Sequence, residues 1–249
     1  MSMHQRYDVV ETRSLNHRTK TLILDRDLPA QPGQFAMVWL PGVDERPYSL
    51  AGSSPLSLTV VAVGPFSEAL FALEVGDRVW VRGPLGQGFR LPAPPAGRRL
   101  LLVGGGYGVA PLLFLTREAV AAGCEVTAVV GARLREDILL VDDLKSLGAR
   151  VRVTTEDGSM GIVGTVLPTV EALMAEERPD ILYACGPVGM LEALERVSIA
   201  HALPHQLSWE AHMRCGIGLC GSCEVHGRSD GWLTCLDGPV ADSEMPAPG

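Results

Sequence analysis

Four closely spaced cysteines near the C-terminal end constrain the fold and chemistry of this 249-residue chain more than any other feature. Cys215, Cys220 and Cys223 share one short run, and Cys235 follows further along. Plant-type iron-sulfur proteins hold a 2Fe-2S cluster with this spacing, three thiolates from one loop and a fourth from elsewhere. Glycines between the thiols supply the backbone freedom that such a loop needs. The spacing predicts these cysteines as cluster ligands and the chain as an electron carrier.

Two other uses of four cysteines are weighed against the cluster. A structural zinc usually takes its ligands from paired short knuckles, whereas here one loop supplies three thiols and the fourth stands apart. The spacing favours iron-sulfur, and zinc stays open as an alternative. Disulfides are disfavoured, because the run that begins Met1-Ser2-Met3-His4 has no apolar signal region and predicts a reducing cytoplasm.

Composition and length limit the kind of protein. A chain of 249 residues exceeds the usual size of one domain, which predicts two domains and a small appendage. The net charge of −8 offers no basic patch to a phosphate backbone, so nucleic acid is not expected as a partner. The apolar runs are far shorter than the roughly 20 residues that a membrane-spanning helix needs.

Hydrophobic patterning changes at a Pro/Ala segment over 91–97, which we interpret as a linker. Before it, short β-rich stretches at 35–40, 56–63 and 78–82 alternate with turn signals, which is typical of a small antiparallel β-barrel. After it, strand signals alternate with helix signals, among them helices expected over 163–174 and 188–200, which indicates a doubly wound α/β nucleotide domain. The expected domains are a β-barrel over 1–97, an α/β domain over 98–205 and a cluster-binding segment over 206–249.

A glycine-rich turn follows the first strand after the linker and leads into a helix. It contains Gly104, Gly105, Gly106 and Gly108, which let the backbone approach a pyrophosphate at the helix N-terminus. A second turn, Cys185-Gly186-Pro187, follows a later strand. Ligands of open α/β sheets collect at the carboxyl ends of strands, so both turns are expected to border one crevice.

The barrel half contains one chemically rich segment, Arg46-Pro47-Tyr48-Ser49. Its guanidinium, aromatic ring and hydroxyl could pair with a phosphate, stack on a flat ring and hydrogen-bond a ring nitrogen. A solvated arginine beside a core tyrosine would explain the same residues equally well.

The order of these segments resembles the ferredoxin reductase-like superfamily, and within it the electron-transfer subunits of type B dihydroorotate dehydrogenases. The resemblance covers nearly the whole chain and depends on these motifs in order: Pro32-Gly33-Gln34-Phe35, Arg46-Pro47-Tyr48-Ser49, Gly83-Pro84-Leu85-Gly86, the glycine turn at 104–111, Thr155-Glu156-Asp157-Gly158-Ser159, Cys185-Gly186-Pro187, and Ser208-Trp209-Glu210 before the cysteine loop.

The resemblance implies that the barrel binds FAD. In it, Arg46 would meet the pyrophosphate, and Tyr48 and Ser49 would contact the isoalloxazine, with Pro47 in the same cofactor-binding segment. The turn from Gly64 to Ser67 would complete a phosphate cradle. The family's Gly-x-Gly-Ser/Thr pattern reads Gly64-Pro65-Phe66-Ser67 here. Proline removes one amide from this turn, so its phosphate contacts are expected to differ from the family's.

The α/β domain would bind NAD(H) by the same resemblance. Its glycine turn, with Gly186 and Pro187, would hold the dinucleotide, and Cys185 would lie near the nicotinamide as the catalytic residue. A buried cysteine at a strand end is as often packing, which is our interpretation of Cys124. Arg133 stands where a ribose-binding carboxylate is expected for NAD and leaves NADP open.

Electrons are then expected to run from NADH to FAD, to the cluster and out to a partner, because a flavin connects two-electron with one-electron chemistry. The resemblance implies that the partner is an FMN-containing catalytic subunit that oxidises dihydroorotate to orotate, in a heterotetramer of pyrimidine biosynthesis. A related NAD(P)H reductase subunit serving a hydrogenase or a ferredoxin-linked complex is one alternative. A zinc-stabilised nucleotide-binding module without redox turnover is the other.

Overall fold

The structure is a computed structural model that describes residues 3–225 and 231–243. The chain folds into two compact units. The first unit contains the residues through Gly88 together with Ala211–Pro239, and the second contains Phe89–Glu210 with the residues from Val240 onward.

A closed antiparallel barrel forms the first unit. Its strands follow one another around the barrel in the order β1-β2-β5-β4-β3-β6. One face of each strand points to the core, as in β5, where Leu56, Leu58 and Val60 are buried and alternate with half-exposed residues. The strands are β1 (Gln5–Asn16), β2 (Thr19–Leu24), β3 (Phe35–Leu40), β4 (Asp44–Ser53), β5 (Leu56–Val61) and β6 (Arg78–Leu85).

A short helix, α1 (Pro65–Phe71), follows β5 and packs its buried Phe66 and Leu70 against the barrel. Proline suits the first helical position, where its missing N–H would have no partner in any case. The Ser67 hydroxyl accepts hydrogen bonds from the backbone N–H of Val63 at 2.9 Å and of Gly64 at 3.0 Å. Ser67 thus ties the turn to the helix it opens.

A seven-stranded sheet forms the second unit, in the order β10-β9-β8-β7-β11-β12-β13. Neighbours are parallel except for β13, which runs antiparallel to β12. Its elements are β7 (Arg99–Gly105), α2 (Val109–Ala121), β8 (Glu125–Ala132), α3 (Val141–Ser146), β9 (Arg150–Thr155), β10 (Ile162–Val163), α4 (Val166–Glu177), β11 (Ile181–Cys185), α5 (Val188–Ala200), β12 (His205–Ser208) and β13 (Val240–Asp242).

The predicted fold class is confirmed: an antiparallel barrel precedes a mostly parallel α/β sheet. Sequence patterns missed β1, β2 and β4 in the barrel and β10, β12 and β13 in the sheet. The helix expected from residue 163 begins at Val166, because Ile162–Val163 pair with β9 as a strand.

The division into domains at 1–97, 98–205 and 206–249 stays a prediction. The compact units are drawn differently, because Ala211–Pro239 pack with the barrel while Val240–Asp242 pair with β12 in the sheet. Among the residues described, no helix combines the length and the apolar character that crossing a membrane requires.

Candidate functional site

The predicted FAD-binding segment lies on strand β4, beside the turn that opens α1. Tyr48 contacts Phe66 of α1, with ring centroids 6.2 Å apart. Arg46 lies two positions before Tyr48 and so on the same face of the strand. The Arg46 side chain is 41% exposed and pairs with the carboxylate of Asp44. A cationic group and an aromatic ring therefore share one face of the barrel.

Burial gives Tyr48 an unusual environment for a phenol. It raises the pKa of Tyr48 to about 12, against an opposing effect of the nearby Arg46 charge. The hydroxyl is therefore a neutral hydrogen-bond donor at physiological pH. Pro47 and Ser49 flank Tyr48 on the same strand, with Ser49 exposed.

The other predicted FAD contacts, Gly64 and Ser67, lie at the start of α1. Ser67 is buried, and its hydroxyl donates to the carbonyl of Gly64 at 3.0 Å. The Ser67 hydroxyl therefore hydrogen-bonds the backbone of the turn itself. The contact between Tyr48 and Phe66 brings this turn next to β4.

The two nucleotide turns of the second unit lie against each other. Gly104 pairs with Cys185 in the register of β7 and β11. A Cβ on Gly105 would lie 2.8 Å from the ring of Pro187, and one on Gly186 would lie 3.0 Å from the backbone of Gly105. Glycine is needed for this approach, because any side chain would push the turns apart. The structure thus brings together the residues predicted to hold the dinucleotide.

Cys185 lies at the meeting point of these turns and is buried. Burial raises the pKa of its thiol to about 12, the negative charge of Glu210 adds to the rise, and a hydrogen bond with Ser208 opposes it. The thiol is therefore neutral at physiological pH. A neutral thiol can pack against a ring and donate one weak hydrogen bond.

Tyr107 and Glu210 extend this site, and sequence analysis assigned them no role. They are hydrogen-bonded to each other, and the carboxylate of Glu210 is the main cause that raises the pKa of Tyr107. Partial burial raises the pKa of Glu210, although its side chain still reaches solvent. They follow β7 and β12, the strands on either side of β11. The sequence did not predict that Tyr107 and Glu210 lie together, because β12 was not recognised as a strand.

Arg133 follows β8 at the same edge of the sheet, and its side chain is exposed. Its backbone carbonyl accepts a hydrogen bond from the N–H of Asp157 at 3.3 Å, which fixes the end of β8 to the loop after β9. An exposed guanidinium here is available to an anion that enters from solvent.

The cysteine loop has its backbone amides turned toward sulfur. Gly218 N donates to Cys235 Sγ at 3.2 Å, and Leu219 N donates to Cys215 Sγ at 3.3 Å. Gly216, Gly218 and Gly221 have φ angles of 68°, 77° and 69°, which side-chain-bearing residues rarely adopt. Amide donors to sulfur stabilise thiolates and tune the potential of iron-sulfur clusters.

All six cysteines are free, and the four of the loop lie close enough to interact. Cys220 interacts with Cys215, and Cys235 interacts with both Cys223 and Cys215. Hydrogen bonds from Ser222 lower the pKa of the exposed Cys220 to about 6, whereas burial raises the pKa of Cys235 to about 12.

A 2Fe-2S cluster fits this arrangement better than zinc. A structural zinc usually takes its ligands from paired short knuckles, whereas three of these thiols lie on one loop. A 2Fe-2S cluster takes three thiolates from one loop and a fourth from elsewhere, which is the order in which Cys215, Cys220, Cys223 and Cys235 occur.

The loop packs onto the barrel through a small apolar cluster. Cys223 and Cys235 are buried there with Phe35 and Met37 of β3 and with Met213. Gly216 lies so near β3 that a Cβ would stand 3.0 Å from Met37 Cγ. Two of the four predicted ligands are therefore positioned by the barrel core.

Comparison with known proteins agrees with this geometry. Residues 210–245 match the model of the iron-sulfur cluster binding domain of dihydroorotate dehydrogenase B, and residues 102–196 match that of the oxidoreductase NAD-binding domain. These matches coincide with the cysteine loop and with most of the sheet.

Curated relatives extend the match to most of the chain. Two examples, from different organisms, both carry the name probable dihydroorotate dehydrogenase B (NAD(+)), electron transfer subunit. The protein of Methanopyrus kandleri is 42% identical over 94% of this chain and 88% of its own length. The protein of Methanocaldococcus jannaschii is 39% identical over 89% of this chain and 82% of its own length.

A solved structure is similar over nearly the whole chain. It is an NADH-dependent reduced ferredoxin-NADP oxidoreductase studied for flavin-based electron bifurcation. It superposes with a TM-score of 0.84 and 28% identity, covering 97% of this chain and 90% of the other.

Fold and sites together define a class, the NAD(P)H-dependent oxidoreductases of ferredoxin reductase type, which transfer electrons with FAD, NAD(H) and a 2Fe-2S cluster. Similarity to the curated relatives is high enough over enough of the chain to go further. The chain belongs to the family of dihydroorotate dehydrogenase B electron transfer subunits.

Proposed function

We propose that this chain connects the nicotinamide pool with a catalytic subunit that oxidises dihydroorotate to orotate, as a heterotetramer in pyrimidine biosynthesis. The observation that carries the proposal is the cysteine loop, in which the sulfurs of Cys215 and Cys235 receive backbone hydrogen bonds and Cys223 and Cys235 pack onto the barrel. We infer the substrate, dihydroorotate, from the names of the relatives.

The electron balance follows from those names. In the direction that they describe, dihydroorotate loses two electrons and two protons, NAD⁺ takes both electrons with one proton, and the second proton is released. When bound, FAD exchanges electron pairs with the nicotinamide and single electrons with the cluster. The sequence predicted the opposite direction, from NADH to the partner, and NADH would supply electrons to the same path only in that reverse direction.

We assign the flavin site to the face of the barrel formed by β4 and the α1 turn. Arg46 would bind the pyrophosphate, because a guanidinium pairs well with phosphate oxygens. Tyr48, with Pro47 and Ser49, would line the isoalloxazine, to which Tyr48 offers a neutral hydroxyl and an aromatic face. Gly64 and Ser67 would fix the conformation of the phosphate-binding turn through the hydrogen bonds between them.

The nicotinamide nucleotide would occupy the crevice at the two interlocked turns. Half-buried Gly106 and the start of helix α2 would face the pyrophosphate, whereas Gly104, Gly105 and Gly108 are buried and allow the two turns to pack closely. Gly186 and Pro187 would form the opposite wall. Cys185 would lie against the nicotinamide as a neutral thiol that excludes water and orients the ring. Arg133 would accept a 2′-phosphate if NADP(H) entered.

The division of labour would follow the segments 1–97 for FAD, 98–205 for NAD(H) and 206–249 for the cluster. Six free cysteines suit a reducing compartment, which supports a cytoplasmic location. The FMN-containing partner would meet this chain at the cluster segment, where Cys220 is exposed.

Replacing each loop cysteine by serine in the full chain tests the proposal. We expect the wild-type protein to show flavin and iron-sulfur absorption, and each variant to lose most iron and acid-labile sulfide while keeping FAD. Cys124→Ser is the matched control, since this buried thiol lies outside the loop and donates to the carbonyl of Pro95, at 3.2 Å.

Two results would contradict the assignment. A colourless wild-type protein that contains zinc would show that the loop is a structural metal site in a nucleotide-binding module. Full iron and sulfide in one serine variant would remove that cysteine from the ligand set.

A second candidate function follows from the likeness to the reduced ferredoxin-NADP oxidoreductase, at a TM-score of 0.84. In that case the partner would be a ferredoxin-linked subunit, and FAD, cluster and nucleotide would keep their sites. Co-purification of the chain from its host distinguishes the two, because the partner would carry FMN and oxidise dihydroorotate only in the first.

A further inference from the structure

Arg82 lies inside strand β6, opposite Met37 of β3, and its side chain is only 11% exposed. Its guanidinium donates from Nε and Nη2 to Glu45 Oε1, at 3.3 Å and 3.1 Å. Nη2 also donates to the backbone carbonyl of Cys215 at 3.0 Å. A charged group of the barrel thus reaches the first cysteine of the loop.

A nearly buried cation needs partners, and Arg82 has two of different kinds. Glu45 supplies a countercharge and also contacts His4 Nε2 through the same oxygen, at 2.7 Å. The Cys215 carbonyl supplies a neutral acceptor. A planar guanidinium serves both at once in a fixed geometry, which the single ammonium of a lysine cannot reproduce.

The hydrogen bond fixes the peptide between Cys215 and Gly216 in the loop. This peptide begins the turn from which Leu219 N reaches back to Cys215 Sγ at 3.3 Å. Its orientation therefore controls where the Cys215 sulfur and its amide donor stand. The other end of the contact lies on β6, next to the β3 core that holds Cys223 and Cys235.

Charge near a redox centre also changes its electron affinity. Reduction of a cluster adds one negative charge, so a neighbouring cation stabilises the reduced form and raises the potential. A carboxylate beside that cation opposes the effect. Arg82 makes the direct contact with the ligand residue, whereas Glu45 contacts it only through Arg82.

We propose that Arg82 is the positioning residue for Cys215 and that the Arg82–Glu45 pair sets the reduction potential of the cluster. This inference rests on the proposed function only in taking the four cysteines as ligands. It predicts that removing the two side chains shifts the reduction potential of the cluster in opposite directions. Loss of Arg82 makes the cluster harder to reduce, and loss of the Glu45 charge makes it easier.

The experiment is a redox titration of the purified full chain with its cofactors, followed by the EPR signal of the reduced cluster. We expect Arg82→Met to lower the reduced-to-oxidised ratio at a fixed ambient potential by about tenfold, which is about 59 mV for one electron. Glu45→Gln should raise the ratio. Arg78→Met is the matched control, since Arg78 lies on the same strand and pairs with Asp8.

The outcomes separate this inference from the proposed function. A wild-type protein without a cluster signal would contradict the proposed function. A normal wild-type signal with unshifted potentials in Arg82→Met and Glu45→Gln, or shifts of the same sign in both, would overturn the role of the pair. If Arg82→Met does not retain the cluster, Glu45→Gln decides: an upward shift supports the inference, and no shift overturns it.

Discussion

Gly108 lies so close to Cys185 that a Cβ on Gly108 would stand 2.3 Å from the Cys185 carbonyl oxygen. The two residues belong to the two turns that the sequence predicted at one crevice. Gly108 starts the entry to helix α2, and Cys185 ends β11. The contact is between backbones, so neither side can yield by changing a rotamer.

Gly108→Ala should therefore push the turns apart and damage the proposed nucleotide site. We expect a destabilisation of about 1–3 kcal/mol, as for overpacking, and a raised KM for NADH. Thermal unfolding and steady-state kinetics measure the two effects. Gly189→Ala, near the start of α5, should be neutral or slightly stabilising, because the added methyl would have nothing within 4 Å of it. Equal behaviour of the two variants would show that the close approach is unimportant.

Arg46→Ala should weaken FAD binding by about tenfold or more, because a hydrogen bond to a charged group contributes roughly 1.5–3 kcal/mol. Titration of the FAD-free chain with FAD measures the affinity. Arg26→Ala is the control, since Arg26 pairs with Asp25 at 3.5 Å elsewhere in the barrel unit. An unchanged affinity in Arg46→Ala would show that the flavin pyrophosphate binds elsewhere.

The Cys185 thiol should resist alkylation in the native protein at pH 8. Its pKa of about 12 leaves only about one molecule in ten thousand as the reactive thiolate. Because the folded pKa lies above the unfolded one, the stability that this thiol contributes is present below about pH 9 and is lost as pH rises toward 12. Peptide mapping after iodoacetamide treatment checks the reactivity, and rapid labelling of Cys185 without unfolding would contradict it.

Gly216→Ala should lose more cluster than Gly221→Ala. Both glycines have positive φ, at 68° and 69°, so each substitution costs about 1–2 kcal/mol of backbone strain. Only Gly216 also lies against Met37, where a Cβ would be 3.0 Å from Cγ. Iron and sulfide analysis of the two variants compares them. A greater loss in Gly221→Ala would show that packing on the barrel does not hold the loop.

Local patterns were sufficient for the features that depend on local chemistry. The sequence was enough to predict three of them: the cysteine spacing, the glycine turn before α2, and the alternation of strands and helices. Helix α5 was predicted at its observed bounds, Val188–Ala200. Strand β4 was missed because its polar segment with Pro47 lacks apolar alternation, and its pairing with β3 and β5 is what makes it a strand.

Contacts between distant residues could not be read from the sequence. The hydrogen bond from Arg82 to Cys215 joins residues 133 positions apart and depends on the pairing of β6 with β3. Tyr107 and Glu210 meet only because β7 and β12 flank β11. Strand order decides such contacts, and the hydrophobic pattern of one strand does not specify which other strand it pairs with.

Reconstitution with and without a catalytic partner tests the central claim most directly. We predict that the pure chain, with FAD and cluster bound, oxidises NADH with an artificial acceptor and turns over no dihydroorotate. Addition of an FMN-containing dihydroorotate dehydrogenase subunit should start NAD⁺ reduction by dihydroorotate, and loss of the cluster in Cys220→Ser should abolish it. Dihydroorotate oxidation by the pure chain alone, or coupled turnover that survives loss of the cluster, would contradict the account.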